Sequence, residues 1–149
     1  MSAGRHAGKD HVQYDLRYSI LPGKEALTQG KDLLEFCLRH RIGGVTLFTY
    51  GEEHNRGHLT EHEIRDFCAL FRQLVPLFKK AGIRVSVNPW TILGHTDRGR
   101  TLREGQDFAR MVSPSGKTAK LCASPACPQW RAYICDMYAR FAACGFEVL

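Results

Sequence analysis

The sequence contains no apolar run approaching the ~20 consecutive residues that a membrane-spanning helix requires. Its first ten residues are small and polar, and they lack the apolar centre of a secretory signal. We therefore expect no membrane as a partner and no secretory leader. Residues 1–10 are predicted to form a disordered tail.

The standard nucleotide-binding motifs are also missing. No Gly-x-Gly-x-x-Gly segment occurs, and the Gly116-Lys117-Thr118 triplet lacks an earlier glycine at the spacing of a phosphate-binding loop. That triplet also precedes a predicted strand, whereas a phosphate-binding loop opens a helix. The sequence therefore predicts no cofactor.

Acidic residues are outnumbered by basic ones, 15 to 21, which gives a formal net charge of +6. A nucleic-acid interface requires its basic residues in one stripe with interleaved aromatics. Here the basic residues are scattered along the chain, so nucleic acid is not an expected partner.

The six cysteines are too few and too dispersed for the disulfide framework of a small secreted domain. Cys37, Cys68 and Cys135 fall on apolar faces of predicted helices, where a free thiol behaves as a small hydrophobe. This usage favours a reducing cytoplasm. Cys127 precedes a predicted helix, so it is either a thiol whose pKa is lowered by the helix dipole or a packed small residue.

The length, hydrophobic content and apolar patterns of the chain indicate a single α/β domain with a core. The chain has 149 residues and is 44% hydrophobic. Alternating and periodic apolar patterns predict strands near 12–18, 45–50 and 83–88, and helices near 26–40, 60–81 and 128–144. A small hairpin is predicted from 107–112 and 117–122, and a fourth strand starts at Phe146. Strands that alternate with helices predict a parallel sheet.

Two boundary signals support these assignments. Thr60 and Glu63 have the spacing of a capping box at the start of the second helix. Gly43 and Gly44 are predicted to end the first helix, and Pro128 to begin the third.

The candidate site follows from the strand ends. The third strand runs into Asn88-Pro89-Trp90, and parallel strands bring their carboxyl ends to one rim, where α/β folds bind ligands. Trp90 offers a flat apolar face to a sugar ring, or else it plugs the core. Arg17 offers donors to hydroxyls, or else it forms an ion pair with Asp15 or Glu52. The predicted substrate-binding residues are Arg17, Tyr50, Glu52, Asn55, Asn88, Trp90 and His95.

Two other constellations compete with this site. His54, His58 and His62 are spaced four apart, as metal ligands on a helix can be, although Gly57 interrupts the first pair. Glu52 and Glu53 could bind hydroxyls or a cation, or could simply be solvated. We expect no metal.

Several segments together resemble the first half of a retaining glycoside-hydrolase barrel of the β-galactosidase-like clan. The resemblance runs from about Val12 to Leu149. It is carried by Tyr14-Asp-Leu-Arg-Tyr18, Asn55-Arg-Gly-His-Leu59, Asn88-Pro-Trp90 with Gly94-His95, and Cys127-Pro128.

The resemblance implies that residues 11–149 form a partial (β/α)₈ barrel that is truncated in strand four. The implied function is a carbohydrate-active fragment that contributes sugar-binding residues. In such enzymes the two catalytic carboxylates follow strands four and seven, so both would lie beyond Leu149 and no catalytic residue is expected within the chain. The alternative is a self-contained, non-catalytic α/β binding or interaction domain. Truncation would leave open sheet edges, which predict self-association.

Overall fold

The structure, a computed structural model, describes residues 14–50, 56–89 and 100–147. The described part of the chain forms five strands and three helices, in the order β1 (Tyr14–Ser19), α1 (Ala26–Arg39), β2 (Ile42–Phe48), α2 (Glu61–Lys80), β3 (Arg84–Asn88), β4 (Arg110–Val112), β5 (Thr118–Ala123) and α3 (Pro128–Ala142). Among these helices none is long and apolar enough to cross a membrane.

The first three strands form a parallel sheet in sequential order, β1-β2-β3. Val45 of β2 lies between Leu16 of β1 and Val85 of β3, and from there the register continues without a shift to the carboxyl ends of the strands. The β1-β2 register shifts once, between Tyr14 and Asp15. The prediction of parallel pairing between the second and third strands is therefore confirmed. The predicted residues 12 and 13 lie outside the described residues.

The helices pack against one face of this sheet, which we call the covered face. Its side chains include Val45, Leu47, Val85 and Val87, all almost fully buried in the main core cluster. The same cluster contains residues of all three helices, among them Phe71 of α2 and Phe141 of α3. The opposite surface of the sheet, the open face, contributes no described residue to that cluster.

Helix α2 follows the predicted pattern closely. Thr60 is its N-cap, and the capping box with Glu63 is complete in both directions. Eight of its residues, spaced at helical periodicity from Ile64 to Phe78, are buried. This helix is therefore the central support of the covered face.

The junction between α1 and β2 differs from the prediction. The predicted second strand, 45–50, in fact begins three residues earlier at Ile42 and ends at Phe48. Gly43 and Gly44 are strand residues and do not end the helix. Arg41, with a φ of 56°, occupies the left-handed conformation that reverses the chain after α1.

The predicted hairpin forms, although its first strand is only three residues long. Behind it lies a second, smaller core cluster made of Phe108, Ala123, Cys127 and Trp130. Much of the long connection between β3 and α3 is thus ordered by its own packing.

The predicted fourth strand at 146–149 is only partly testable, because residues 148 and 149 lie outside the described residues. Phe146 and Glu147 are not assigned to a strand. Nevertheless, the Glu147 backbone N–H donates to the Val85 carbonyl at 3.1 Å. The chain after α3 therefore returns to the edge of β3 that lies opposite β2.

Candidate functional site

The open face carries three rows of side chains, one residue from each parallel strand. The strand register aligns Asp15, Gly44 and Arg84 in the first row, Arg17, Thr46 and Ser86 in the second, and Ser19, Phe48 and Asn88 in the third. The third row lies at the carboxyl ends of the strands. Nearly all of these positions are polar, so the face differs sharply from the apolar covered face.

An ion pair spans the first row. Arg84 donates to both carboxylate oxygens of Asp15, at 2.9 and 3.3 Å, across the central strand. Gly44 makes this crossing possible, because a Cβ there would collide with the Asp15 carboxylate. Both side chains are about half exposed, so the ion pair contributes at most about 1 kcal/mol to the free energy of unfolding.

Side chains make contacts within the second row and between the second and third rows. The Thr46 and Ser86 hydroxyls share a hydrogen bond of 2.8 Å. The Arg17 guanidinium lies over the Phe48 ring, with Cζ 4.5 Å from the ring centroid, a cation–π contact. Phe48 is only 6% exposed, although it sits on the open face.

A cleft of about 450 Å³ lies beside the carboxyl ends of β1 and β2. Its centre is the Glu63 carboxylate, which receives hydrogen bonds from Tyr50 Oη at 2.9 Å, from Arg103 Nη1 at 3.0 Å and from the Thr60 backbone N–H at 2.8 Å. The second Arg103 nitrogen completes the ion pair, 2.9 Å from Glu63 Oε2. This arrangement links β2, α2 and the connection after β3.

The surroundings of Glu63 and Tyr50 determine the protonation state of each group. Burial acts most strongly on Glu63 and by itself would raise its pKa, but the hydrogen bonds from Arg103, Thr60 and Tyr50 together lower the pKa. Burial, followed by the hydrogen bond to Glu63 and its negative charge, raises the pKa of Tyr50 to about 12. Glu63 is therefore a fixed carboxylate, and it lacks the raised pKa that a general acid needs.

Further contacts tie the same connection to α2. The Gln106 amide donates to the carbonyls of His58 and Leu59, and the Arg103 backbone N–H donates back to Gln106 Oε1. The Tyr133 hydroxyl of α3 also donates to the Leu59 carbonyl. The segment that precedes α2 is thus held from two sides, which fixes the position of the Glu63 cluster.

Of the predicted site residues, the structure describes Arg17, Tyr50 and Asn88. Arg17 and Asn88 lie on the open face in adjacent rows, whereas Tyr50 is buried and bonded to Glu63. The alternative ion pair of Arg17 with Asp15 is not formed, because Arg84 takes that carboxylate. Glu52, Asn55, Trp90 and His95 lie outside the described residues.

The histidines of the possible metal ladder occupy different environments. His58 is fully buried, and its Nε2 lies 3.2 Å from the Leu121 carbonyl. His62 is exposed on α2, 3.1 Å from Asp66, and His54 lies outside the described residues. Within the described ranges, no group of three or more His, Cys, Asp or Glu side chains could hold a metal.

Cys127 is both a thiol with a lowered pKa and a packed small residue, the two interpretations that the sequence allowed. It is the N-cap of α3 and is buried in the small core cluster. Backbone hydrogen bonds, above all that of Trp130 at the start of the helix, lower its pKa. Its thiol nevertheless donates to Gln129 and accepts from Ala109, so it also packs as a structural residue.

Sequence reasoning missed Arg103, the cationic partner of Glu63 in this cluster. The capping box identified Glu63 as a helix cap, but no local pattern links it to an arginine 40 residues later. Comparison of the chain with known protein families, with curated proteins and with solved structures finds no match.

Proposed function

We propose that this chain is the amino-terminal half of a (β/α)₈ glycoside-hydrolase barrel and that it contributes sugar-binding residues. The observation that carries the proposal is the parallel sheet β1-β2-β3, in sequential order, on which the three described helices pack against one face. Parallel sheets occur almost only with both faces covered. Closure into a barrel would enclose the open face, as the rows of side chains inside such barrels are enclosed.

Both edges of the sheet support this proposal. At the β3 edge, the Glu147 N–H already bonds to Val85, where a fourth parallel strand would add. At the opposite edge, two large side chains, Tyr14 and Tyr18, are exposed on β1. A closed barrel would place its last β/α unit beside them.

The carboxylates agree with a binding role for this half. Retaining hydrolysis requires two carboxyl groups about 5–5.5 Å apart, one with a raised pKa. Asp15 is paired with Arg84, and Glu63 is held ionised by three donors. We therefore propose that the acid/base and the nucleophile come from the sequence after Leu149. A cytoplasmic setting fits the six free thiols.

One observation favours the alternative, a self-contained α/β binding domain without catalysis. The open face is polar, and its Asp15–Arg84 pair is about half exposed, as expected of a solvated surface. In that case the face would be the binding surface of a complete domain, and no further β/α units would be needed.

A binding titration tests the sugar-binding part of the proposal. Neutral mono- and disaccharides are titrated into the protein while the side-chain amide of Asn88 is followed by NMR. Asn88→Ala should weaken sugar binding about fivefold, the effect of one lost hydrogen bond. Gln73→Ala is the matched control, because it removes an exposed amide on α2 that is bonded only to its own helix. If no sugar perturbs Asn88, or if both variants bind as the parent does, the sugar-binding proposal is wrong.

A further inference from the structure

The upper part of the open face presents a cation, Arg17, that has no carboxylate partner among the described residues. In the described part of the chain Arg17 takes part in no ion pair, since Asp15, two residues earlier on the same face, is held by Arg84. The Phe48 ring supports one side of the guanidinium. This contact restricts the plane of the guanidinium and leaves its N–H edge available to a ligand.

Two further polar groups flank Phe48 in the third row. Ser19 lies on the β1 side and Asn88 on the β3 side, both directly in register with Phe48. The Ser19 hydroxyl oxygen is buried and has no hydrogen-bond partner among the described residues. The Asn88 side chain is exposed and can both donate and accept.

We infer that Arg17 and Asn88, the exposed groups on either side of the buried Phe48 ring, form a subsite for an anionic group on a sugar ring. The guanidinium presents a fork of N–H donors that fits two oxygens of a carboxylate or phosphate. The exposed Asn88 amide supplies the neutral hydrogen bonds that ring hydroxyls require.

The inference rests on the proposed function, because barrel closure would remove water from around Arg17 and so make its lack of a described carboxylate partner costly. Within a closed barrel the third row loses much of its water, and an unpaired charge in such a place is costly. An anionic ligand would supply the missing counter-charge. Arg84 cannot serve in the same way, because Asp15 already neutralises it.

The test compares three sugars of similar shape: glucose, glucuronate and glucose 6-phosphate. Binding to the chain is followed by NMR at the Arg17 Nε–H and at the Asn88 side-chain amide. We expect at least one of the anionic sugars to bind about tenfold more tightly than glucose. Preference for glucuronate identifies a carboxylate as the ligand group, and preference for glucose 6-phosphate identifies a phosphate.

Three variants isolate the role of the guanidinium. Arg17→Met keeps the stem over Phe48 and should abolish the preference for anions, while glucose binding persists. Arg17→Lys keeps the charge without the fork and should retain only part of the preference. Arg110→Met, which removes an exposed cation from the separate β4-β5 sheet, should leave it unchanged. Chemical denaturation of each variant establishes that it is folded.

Two outcomes would overturn the inference and leave the proposed function standing. One is equal affinity for all three sugars, and the other is an anion preference that survives Arg17→Met. A complete lack of sugar binding would instead remove the proposed function, and the subsite with it.

Discussion

At the scale of single residues, the most consequential group is the Glu63 carboxylate, which caps α2 and binds Arg103 and Tyr50 at once. Its side chain is 13% exposed and that of Arg103 is 26% exposed, so water screens the pair only partly. A buried carboxylate with several donors stabilises the fold mainly because its removal would leave those donors buried without an acceptor.

Glu63→Gln should lower the free energy of unfolding by about 2 kcal/mol at pH 7. The folded protein lowers the pKa of Glu63 below its ordinary value of 4.5. Its stabilisation is therefore complete above that value and is lost as the pH falls through the folded-state pKa. Denaturation measured from pH 7 to pH 3 should show the difference between parent and variant shrinking below about pH 4.5.

Glu61→Gln is the control for this experiment. Glu61 lies in the same first turn, but it is 65% exposed and pairs with Arg140 at the surface, so its loss should cost less than about 1 kcal/mol. If both variants lose the same stability, or if the Glu63 effect does not depend on pH, the central role of Glu63 is wrong.

The two tryptophans provide a second test at the residue scale. Trp90 is predicted to bind sugar, and we expect Trp90→Ala to weaken sugar binding with little loss of stability. Trp130 is buried in the small core cluster, so Trp130→Ala should cost about 3–5 kcal/mol. Sugar titration and chemical denaturation of both variants distinguish the roles. Unchanged sugar affinity in a folded Trp90→Ala protein would remove Trp90 from the site.

At the scale of elements, the strands and helices with strong periodic patterns could be predicted from the sequence, and their contacts could not. Helix α2 was predictable because its capping box and apolar stripe are local signals. The start of β2 could not be predicted, because Gly43-Gly44 is typical of a helix end, whereas the chain in fact reverses at Arg41. The Arg103–Glu63 pair and the Asp15–Arg84 pair join distant segments, so no local pattern indicates them.

The packing of α1 on α2 makes an element-scale prediction. Gly30 of α1 is buried, and a Cβ there would collide with the Leu74 side chain of α2. Although alanine favours helix by about 1 kcal/mol over glycine, Gly30→Ala should be net destabilising by about 1 kcal/mol, because overpacking costs about 1–3 kcal/mol.

A double-mutant cycle checks this contact. In a Leu74→Ala background the collision is removed, so Gly30→Ala should there become neutral or stabilising. Gly23→Ala is the control, because no atom lies within 4 Å of a Cβ at that position. If the two substitutions at positions 30 and 74 are additive, the helices do not meet at Gly30 as described.

At the scale of the whole molecule, the free sheet edges predict association between copies of the isolated chain. Tyr14 is 59% exposed and Tyr18 is 40% exposed on β1, which pairs only with β2 among the described strands and so forms an edge of the sheet. Tyr14→Lys with Tyr18→Lys should shift the molecular mass from light scattering towards the monomer. Met111→Lys with Val112→Lys, on the exposed hairpin, should not. A monodisperse parent monomer with a sharp thermal transition would contradict this prediction.

The central claim is that the open face is the inside of half a barrel, and it is tested most directly by determining the natural transcript beyond the Leu149 codon. We predict that the reading frame continues through further β/α units, with carboxylates near the ends of the fourth and seventh strands. Such a continuation would supply both the missing cover for the open face and the catalytic pair. A stop codon directly after Leu149, or a continuation without alternating strands and helices, would contradict the half-barrel account.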